Sequence, residues 1–203
     1  MAELNTLERI RAAALDEFIK KGFRCASLRN IVKTAGVTTG AFYGYYKSKE
    51  ALFDSLIGPH YDAFVDRFKQ GQSTFQNLPA DRKSDFLQAE SCFGMDWMVD
   101  HVYQHKDIFR LLTTGSEGTR YENFIRDLVE IELDAAENFS DSLRALGVEL
   151  QTVDRQLAQL LVCGVVTSFF ELIIQDIPLE QARVYVNQLQ QYSFYGWRHI
   201  LGF

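Results

Sequence analysis

Apolar residues recur every three or four positions along most of this chain, which is the period of an amphipathic α-helix. The stripe that begins at Leu7 predicts a first helix over residues 7–21, with Asn5 as its N-cap and Gly22 just beyond its end. The second helix is predicted from the cap Ser27 to the turn at Gly36, the third over residues 39–45, and the fourth from the cap Ser48 towards Gln70. The fifth to ninth helices are predicted over residues 82–105, 108–112, 121–146, 153–175 and 179–201. No segment reads as a strand. The pattern predicts an all-α fold of about nine helices.

Two predicted helices depart from a simple one-sided pattern. Gly58 and Pro59 fall inside the fourth helix and predict a kink or a break there, because proline lacks an amide hydrogen. The eighth helix is apolar on nearly all sides, which predicts burial on more than one face. Its apolar run over residues 160–174 contains three polar residues and is shorter than a membrane span. We therefore expect a buried helix of a soluble protein and no membrane partner.

The segment from residue 27 to residue 49, SLRNIVKTAGVTTGAFYGYYKSK, has the layout of a helix-turn-helix that reads DNA. A short apolar helix runs into a turn, and a second short helix starts on Thr38. Thr39 and Gly40 leave the start of this second helix free of bulk. The glycine permits close backbone approach, and the hydroxyls can meet phosphates or base edges. This helix is therefore predicted to be the recognition helix.

The aromatic residues of the recognition helix divide between two faces. Phe42 and Tyr46 are four residues apart and are expected to pack on the first two helices. Tyr43 and Tyr45 are then expected to point outward, where their hydroxyls can bind phosphate. Lys49, near the start of the fourth helix, adds a positive charge close to backbone amides that favour phosphate.

The charge balance separates the first quarter of the chain from the rest. The 203 residues have a net charge of −6, which alone would argue against DNA binding. Residues 1–49, however, contain nine basic and four acidic residues and are net +5, whereas residues 50–203 contain 12 basic and 23 acidic residues and are net −11. A basic head on an acidic body is what a DNA reader with a separate second domain would show. We predict a DNA-binding domain over residues 1–48 and a second domain over residues 49–203.

The N-terminal quarter resembles the TetR family of one-component transcription regulators. The matching residues are Lys21-Gly22-Phe23, Ser27-Leu28, Ile31-Val32, Ala35-Gly36-Val37-Thr38, Gly40-Ala41-Phe42-Tyr43, Tyr45-Tyr46, Ser48-Lys49-Glu50 and Leu52-Phe53. The resemblance implies DNA contacts from Ser27, Thr38, Thr39, Tyr43, Tyr45 and Lys49, to which the residue types add Gly40. Gly44 and Tyr45 stand where many members have a large residue followed by histidine, so no base preference is transferred.

The resemblance further implies that the remaining helices sense a ligand and form a homodimer. The apolar eighth helix and the aromatic-rich ninth helix agree with this, because pairing with their twins would bury both in a four-helix interface. A symmetric dimer would read a near-palindromic operator on double-stranded DNA. The predicted dimer interface consists of Phe169, Tyr185, Leu189, Tyr192 and Trp197. The alternative is a monomer in which these residues cover the core of their own body.

The fifth, seventh and eighth helices are predicted to enclose a mostly apolar effector pocket. Aromatic and methionine side chains crowd the fifth helix beside Gly94, which is typical of ligand pockets in helical bodies. The predicted effector-binding residues are Phe93, Trp97, Met98, His101, Tyr121, Phe124, Val166 and Phe170. His101 and His105 have a spacing that can hold a metal, but no third ligand is fixed by spacing. We expect a structural pair, no metal and no cofactor.

The sequence favours a regulator over an enzyme. It contains no GxSxG, P-loop, HExxH or dinucleotide-binding motif, so no catalytic residue is predicted, and a helical enzyme of unknown reaction is the weaker alternative. Three isolated cysteines and the absence of an export signal indicate a reducing, cytoplasmic location. A thiol redox sensor is another alternative, since Cys25 is next to Arg24 at an expected helix start. The leading hypothesis is a repressor released by a small hydrophobic or aromatic effector.

Overall fold

The computed structural model describes residues 5–76, 95–145 and 147–202. Within these ranges every regular element is an α-helix, which confirms the predicted fold class. The helices are α1 (Thr6–Cys25), α2 (Leu28–Thr34), α3 (Thr39–Tyr45), α4 (Lys49–Gln76), α5 (residues 95–104 as far as it is described), α6 (Lys106–Thr114), α7 (Phe124–Ala145), α8 (Arg155–Ile174) and α9 (Leu179–Leu201). The predicted start of α5 at residue 82 lies outside the described residues.

The described chain forms two compact units. The first, here called the head unit, runs to Ala63 and also includes His105–Phe124. The second, here called the body unit, comprises residues 64–104 and 125–203. The helix α4 contributes its first 15 residues to the head unit and the rest to the body unit. The compact head unit is thus larger than residues 1–48, and the predicted functional boundary remains a prediction.

The core of the head unit is built from the apolar stripes that the sequence predicted. Ile10, Phe18, Ile31 and Phe42 are fully buried. The rings of Phe18 and Phe53 meet edge to face with centroids 5.0 Å apart, a geometry that aromatic pairs prefer. Asn5 caps α1 in the predicted capping box, in which its side chain accepts from the Glu8 amide at 2.9 Å.

The fourth helix runs through Pro59 without the predicted break. Pro59 has no amide hydrogen to donate to the carbonyl of Ser55, four residues earlier. The Arg11 guanidinium donates to this carbonyl instead, with 3.2 Å between Nη2 and the oxygen. A side chain of α1 therefore satisfies the acceptor that the proline leaves open, and this explains how the helix continues.

Gly22 adopts a backbone conformation that only glycine takes readily. Its φ is 69° and its ψ is 166°, so the helical backbone of α1 is interrupted at Gly22, three residues before the helix ends at Cys25. A Cβ atom at Gly22 would lie 3.4 Å from the carbonyl oxygen of Gly115. Beside this contact the amide of Phe23 donates to the same Gly115 oxygen at 2.7 Å. The end of α1 is thereby joined to the segment that follows α6.

We expect Gly22→Ala to lower the free energy of unfolding by about 1–3 kcal/mol, because a side chain is strained at this φ and ψ. Chemical denaturation followed by circular dichroism measures the change. Gly44→Ala is the matched control: Gly44 lies inside α3 with nothing within 4 Å of an added Cβ, so the alanine should be neutral or stabilising by up to ~1 kcal/mol. Equal stability of the Gly22→Ala protein and the wild type would show that the glycine is not required.

The body unit is held together by ion pairs and hydrogen bonds between its helices. Arg155, at the start of α8, pairs with Glu130, Asp134 and Glu137 of α7. The Tyr103 hydroxyl of α5 donates to the backbone carbonyl of Ile177 at 2.8 Å. The ion pairs link α8 to α7, and the hydrogen bond links α5 to the turn between α8 and α9.

Within the single chain, α8 is buried on one face, and its predicted burial on a further face remains a prediction. Val162 and Phe170 face the interior of the body unit, whereas Leu160 is 72% exposed and Cys163 and Gly164 are also exposed. By length and composition α8 could also cross a membrane, but one such helix is weak support for a membrane span.

Candidate functional site

The start of the recognition helix α3 presents a small, polar surface to solvent. Thr38 is the N-cap, and its hydroxyl oxygen accepts from the amide of Ala41 at 3.1 Å. Thr38, Thr39 and Gly40 are all exposed. An added Cβ at Gly40 would meet only the Thr38 hydroxyl, at 3.9 Å. The predicted freedom from bulk at this end of α3 is therefore present.

The aromatic residues of α3 divide between two faces as predicted. Phe42 is fully buried and Tyr46 is nearly so, whereas Tyr43 is 54% exposed and Tyr45 is 51% exposed. The Tyr46 hydroxyl accepts from the hydroxyl of Ser55 at 3.2 Å. Two phenolic hydroxyls therefore lie on the solvent side of α3, while the other two rings hold the helix in the head unit.

Ser27 occupies the N-cap position of α2 but does not cap it with its side chain. Its backbone amide donates to the carboxylate of Glu17 at 3.0 Å. That carboxylate also accepts from Lys21, and chiefly this bond, followed by the Ser27 amide, lowers the pKa of Glu17. The half-exposed hydroxyl of Ser27 is therefore not used by its own helix, and its contact with DNA remains a prediction.

Lys49 plays a structural role that the sequence did not reveal. Its ammonium donates to the carbonyl oxygens of Phe23 at 2.8 Å and Ala26 at 3.1 Å. It also lies 4.4 Å from the centroid of the Phe23 ring, within the range of a cation–π contact. Lys49 therefore fastens the end of α1, and its contact with DNA remains a prediction.

Three basic residues outside the predicted site are better placed for phosphate. Arg29 and Lys33 of α2 and Lys47, which follows α3, are all exposed. The segment over residues 27–49 contains no acidic residue. The described acids of the head before residue 49 lie on α1, where Asp16 and Glu17 pair with Lys20 and Lys21. The absence of acids from the segment was the signal in the sequence that pointed to these side chains.

Lys47→Ala should weaken operator binding and reduce the slope of log affinity against log salt by about one unit, because one phosphate contact is lost. Its melting temperature should stay that of the wild type. Lys49→Ala is the contrasting variant, since losing charged hydrogen bonds to two carbonyls should cost about 1–3 kcal/mol of stability. Gel shifts at several salt concentrations and thermal melts test both. An unchanged salt slope in Lys47→Ala would remove this residue from the interface.

Tyr121 and Phe124, two of the predicted effector residues, belong to the packing of the head unit. The Tyr121 hydroxyl donates to Asp54 at 2.5 Å and accepts from Arg120 at 2.7 Å. An added Cβ at Gly58 would lie 3.0 Å from this hydroxyl. Burial, followed by the bond to Asp54, raises the pKa of Tyr121, and the same bond lowers the pKa of Asp54. This tyrosine fastens α4 to the segment after α6, and any contact with an effector is a prediction only.

The remaining effector candidates lie in the body unit. Met98 and Phe170 are buried, and the ring centroids of Phe170 and Phe64 are 5.7 Å apart. Trp97 and His101 stack on each other, with centroids 4.6 Å apart and planes 10° from parallel. Val166 packs against a buried cluster formed by Val129, Leu133 and Val162. Phe93 lies outside the described residues. The predicted pocket remains a prediction.

The predicted spacing of His101 and His105 on one helix is not present. His105 stands between α5 and α6 with φ −126° and ψ 39°, so it is not part of a continuous helical face with His101. Within the head unit, His105 packs against His60 of α4 with ring centroids 4.1 Å apart.

The predicted interface residues fall into two groups. Tyr192 is 71% exposed, Tyr185 is exposed and Leu189 is half-buried. Trp197 packs partly against the cluster around Val129. Phe169 is only 7% exposed and meets Phe170 edge to face at 5.0 Å. It belongs to the core of its own subunit, so Phe169→Asp would disturb the fold before it tested an interface.

A groove of about 530 Å³ lies on the outer side of α8 and α9. Its lining includes Ser168, Glu171, Leu172, Gln175, Ile177, Tyr185, Gln188, Leu189 and Tyr192. Further along the same two helices, an added Cβ at Gly164 or Gly196 would meet nothing within 4 Å. This face combines exposed aromatic and aliphatic groups with small residues, a combination that permits close helix packing across a subunit interface.

These observations define the class of the protein. The short helix α3 follows a tight turn at Gly36, whose φ is 64°. The buried rings of Phe42 and Tyr46 anchor it to the head unit, and the segment over residues 27–49 contains no acidic residue. That is the helix-turn-helix of a DNA-binding head. The described part of the body unit is helical, and its helices α8 and α9 expose apolar side chains.

Comparisons with known proteins find relatives of the N-terminal part of the chain. The profile described as "Bacterial regulatory proteins, tetR family" matches residues 10–56. The chain is 48% identical over 50 residues to the HTH-type transcriptional regulator YdgC of Bacillus subtilis, covering 25% of this chain and 26% of that protein. It is 34% identical over 68 residues to the HTH-type transcriptional repressor NemR of Escherichia coli, covering 34% of each. Residues 10–56 are therefore similar to the TetR family of bacterial regulatory proteins.

Solved structures extend the likeness of fold to the body. A TetR-like transcriptional regulator from Rhodococcus sp. RHA1 has a TM-score of 0.57 at 18% identity, covering 97% of this chain and 99% of that one. The transcriptional regulator FadR from Bacillus subtilis, solved in complex with stearoyl-CoA, has a TM-score of 0.53 at 14% identity, covering 90% and 96%. In sequence, the chain spans about a quarter to a third of the length of the first curated relatives it matches.

Proposed function

We propose that this protein is a cytoplasmic homodimeric repressor that binds a near-palindromic DNA operator and is released by a small hydrophobic or aromatic effector. The observation that carries the proposal is the exposed surface of α3, with two threonines, a glycine and two tyrosines in a segment without acidic residues. Such a surface suits the major groove, and the basic residues around it suit the phosphates.

The exposed face of α8 and α9 supports the dimer. Leu160, Val184, Tyr192 and Tyr195 each leave more than half of their surface to solvent in the single chain. A two-fold axis through this face would bury the same residues twice, as an isologous interface does. A dimer would also present two recognition helices, one for each half-site of the operator. The centres of two such half-sites are about 34–36 Å apart on DNA.

The composition of the body unit supports an apolar effector. Aromatic rings of α4 and α8 meet there, and α5 contributes Met98 and the stacked Trp97 and His101. A fold of this kind accepts a long apolar molecule in at least one protein, since the Bacillus subtilis FadR structure contains stearoyl-CoA. An effector changes operator affinity only if it binds the DNA-free state more tightly, and a differential of ~2–3 kcal/mol would lower the affinity about 30–150-fold.

The redox alternative has less structural support than the small-molecule effector. Cys25 was expected at a helix start, where backbone amides would stabilise a thiolate. It lies instead at the end of α1, and the neighbouring Arg24 pairs with Glu117. Cys25 is exposed, and two residues separate it from the first residue of α2. We therefore favour the small-molecule effector.

A gel shift tests the proposal directly. DNA from the region flanking the protein's own coding sequence is titrated with the purified protein, and scrambled DNA of the same composition is the control. We expect a specific complex that a subset of hydrophobic compounds dissociates. Equal affinity for both DNAs would contradict the proposed operator binding. A specific complex that no compound in a broad hydrophobic panel alters would contradict the effector part alone.

A further inference from the structure

Glu132 occupies a core position of α7. The residues at positions 128, 132, 135 and 139 share one face of this helix, since they follow helical spacing. Leu128, Ala135 and Phe139 on that face are all buried. A carboxylate thus interrupts an apolar stripe at a place where packing alone would favour leucine.

The partner of Glu132 is an amide on the facing helix. Gln72 lies on α4, eight residues after the buried Phe64 and so on the same side of the helix. Its Nε2 donates to Oε2 of Glu132. Both side chains are half-buried, and both belong to the body unit, where the proposed effector candidates Met98 and Phe170 are found.

Among the described residues, the amide of Gln72 is the one hydrogen-bond partner of Glu132, which leaves the carboxylate with spare acceptor capacity. Burial raises the pKa of Glu132 to about 7, and the hydrogen bond from Gln72 opposes this rise. A carboxylate has about four acceptor sites, of which the amide bond uses one. Keeping a carboxylate in an apolar stripe costs free energy unless it is paired. A ligand with a positively charged group would neutralise the Glu132 carboxylate, which the uncharged amide of Gln72 does not do.

We propose that Glu132, held in place by Gln72, is the polar anchor of the effector site and selects an effector that carries a protonated amine on an apolar body. This inference rests on the proposed function, because it specifies the chemistry of the effector. The buried neighbours on α7 and the phenylalanines of α4 provide the apolar contact, and Glu132 provides the charged hydrogen bond. The neutral counterpart of such a ligand would keep the apolar contact and lose the ion pair.

A matched pair of probes separates charge from apolar contact. Dodecylamine, which is protonated at neutral pH, and dodecanol, which is neutral, are titrated into wild-type protein without DNA, below micelle-forming concentration. Binding is followed by calorimetry. We expect the amine to bind on the order of 10–100-fold more tightly, the range of a charge-assisted hydrogen bond. Glu132→Gln, which keeps the shape and can still pair with Gln72, should remove this preference. Glu149→Gln, at an exposed position after α7, should keep it.

Two results would overturn the inference. One is equal binding of amine and alcohol by the wild-type protein, a measurement that holds even if Glu132→Gln does not fold. The other is a folded Glu132→Gln protein that retains the preference, which would place the cation elsewhere. Neither result affects operator binding in the absence of ligand, so the gel shift described above distinguishes failure of this inference from failure of the proposed function.

Discussion

Thr39→Glu should lower operator affinity on the order of 100-fold or more while leaving the fold intact. Thr39 is exposed at the first position of α3, beside the N-cap Thr38. A carboxylate there would face the phosphates and base edges that the threonine is proposed to contact, and a like-charge juxtaposition costs several kcal/mol. An acidic residue in the first turn of a helix is mildly stabilising, so the head should remain folded. Gel shifts and thermal melts measure the two effects separately.

The same substitution at Thr152 is the matched control, because Thr152 is exposed in the segment between α7 and α8. It adds the same charge to the protein without placing it on α3, and its effect on affinity should be small. If Thr39→Glu binds the operator as tightly as Thr152→Glu, the exposed start of α3 is not the DNA-reading surface.

Leu160→Asp should raise the dissociation constant of the dimer by about 100-fold or more. Leu160 is the most exposed of the large apolar residues on α8 and α9, at 72% of its surface. Burying a leucine contributes about 1.5–3 kcal/mol, and two-fold symmetry applies the loss twice. Operator affinity should fall as well, because each subunit reads one half-site. Sedimentation at micromolar concentration, with a circular dichroism spectrum to confirm the fold, measures the effect.

Val148→Asp provides the control for this substitution. Val148 is also a partly exposed apolar residue, at 37%, but it lies in the turn that follows α7. It should leave the assembly unchanged. A wild-type protein that sediments as a monomer, or a Leu160→Asp protein that remains a dimer, would contradict the proposed interface.

Helical spacing and capping residues were sufficient to predict the head. The third helix has the predicted bounds, and Thr38 caps it. The division of Phe42 from Tyr43 also followed from spacing alone, because neighbouring helical positions face different directions. These features are local, so the residues that determine them are adjacent in the sequence.

Features that depend on distant residues could not be predicted in the same way. The continuity of α4 through Pro59 depends on Arg11, which lies 44 residues from the carbonyl that it satisfies. Tyr121 was assigned to a pocket because it is aromatic, yet its hydroxyl bonds Asp54, 67 residues away. Lys49 stands at a position that contacts DNA in the TetR family, yet its ammonium donates to the backbone carbonyls of Phe23, in α1, and of Ala26, directly after α1. Periodicity shows which side chains turn inward but not which partners they meet.

The central claim is that two copies of this chain read one near-palindromic operator through α3, and footprinting combined with stoichiometry tests it most directly. DNA that flanks the coding region is titrated with the protein above its dimer dissociation constant, and cleavage protection and the molar ratio at saturation are recorded. The account predicts two protected half-sites about one helical turn or a simple multiple apart, two chains per site, and no protection with Thr39→Glu. Uniform protection without discrete sites, or one chain saturating a single site, would contradict it.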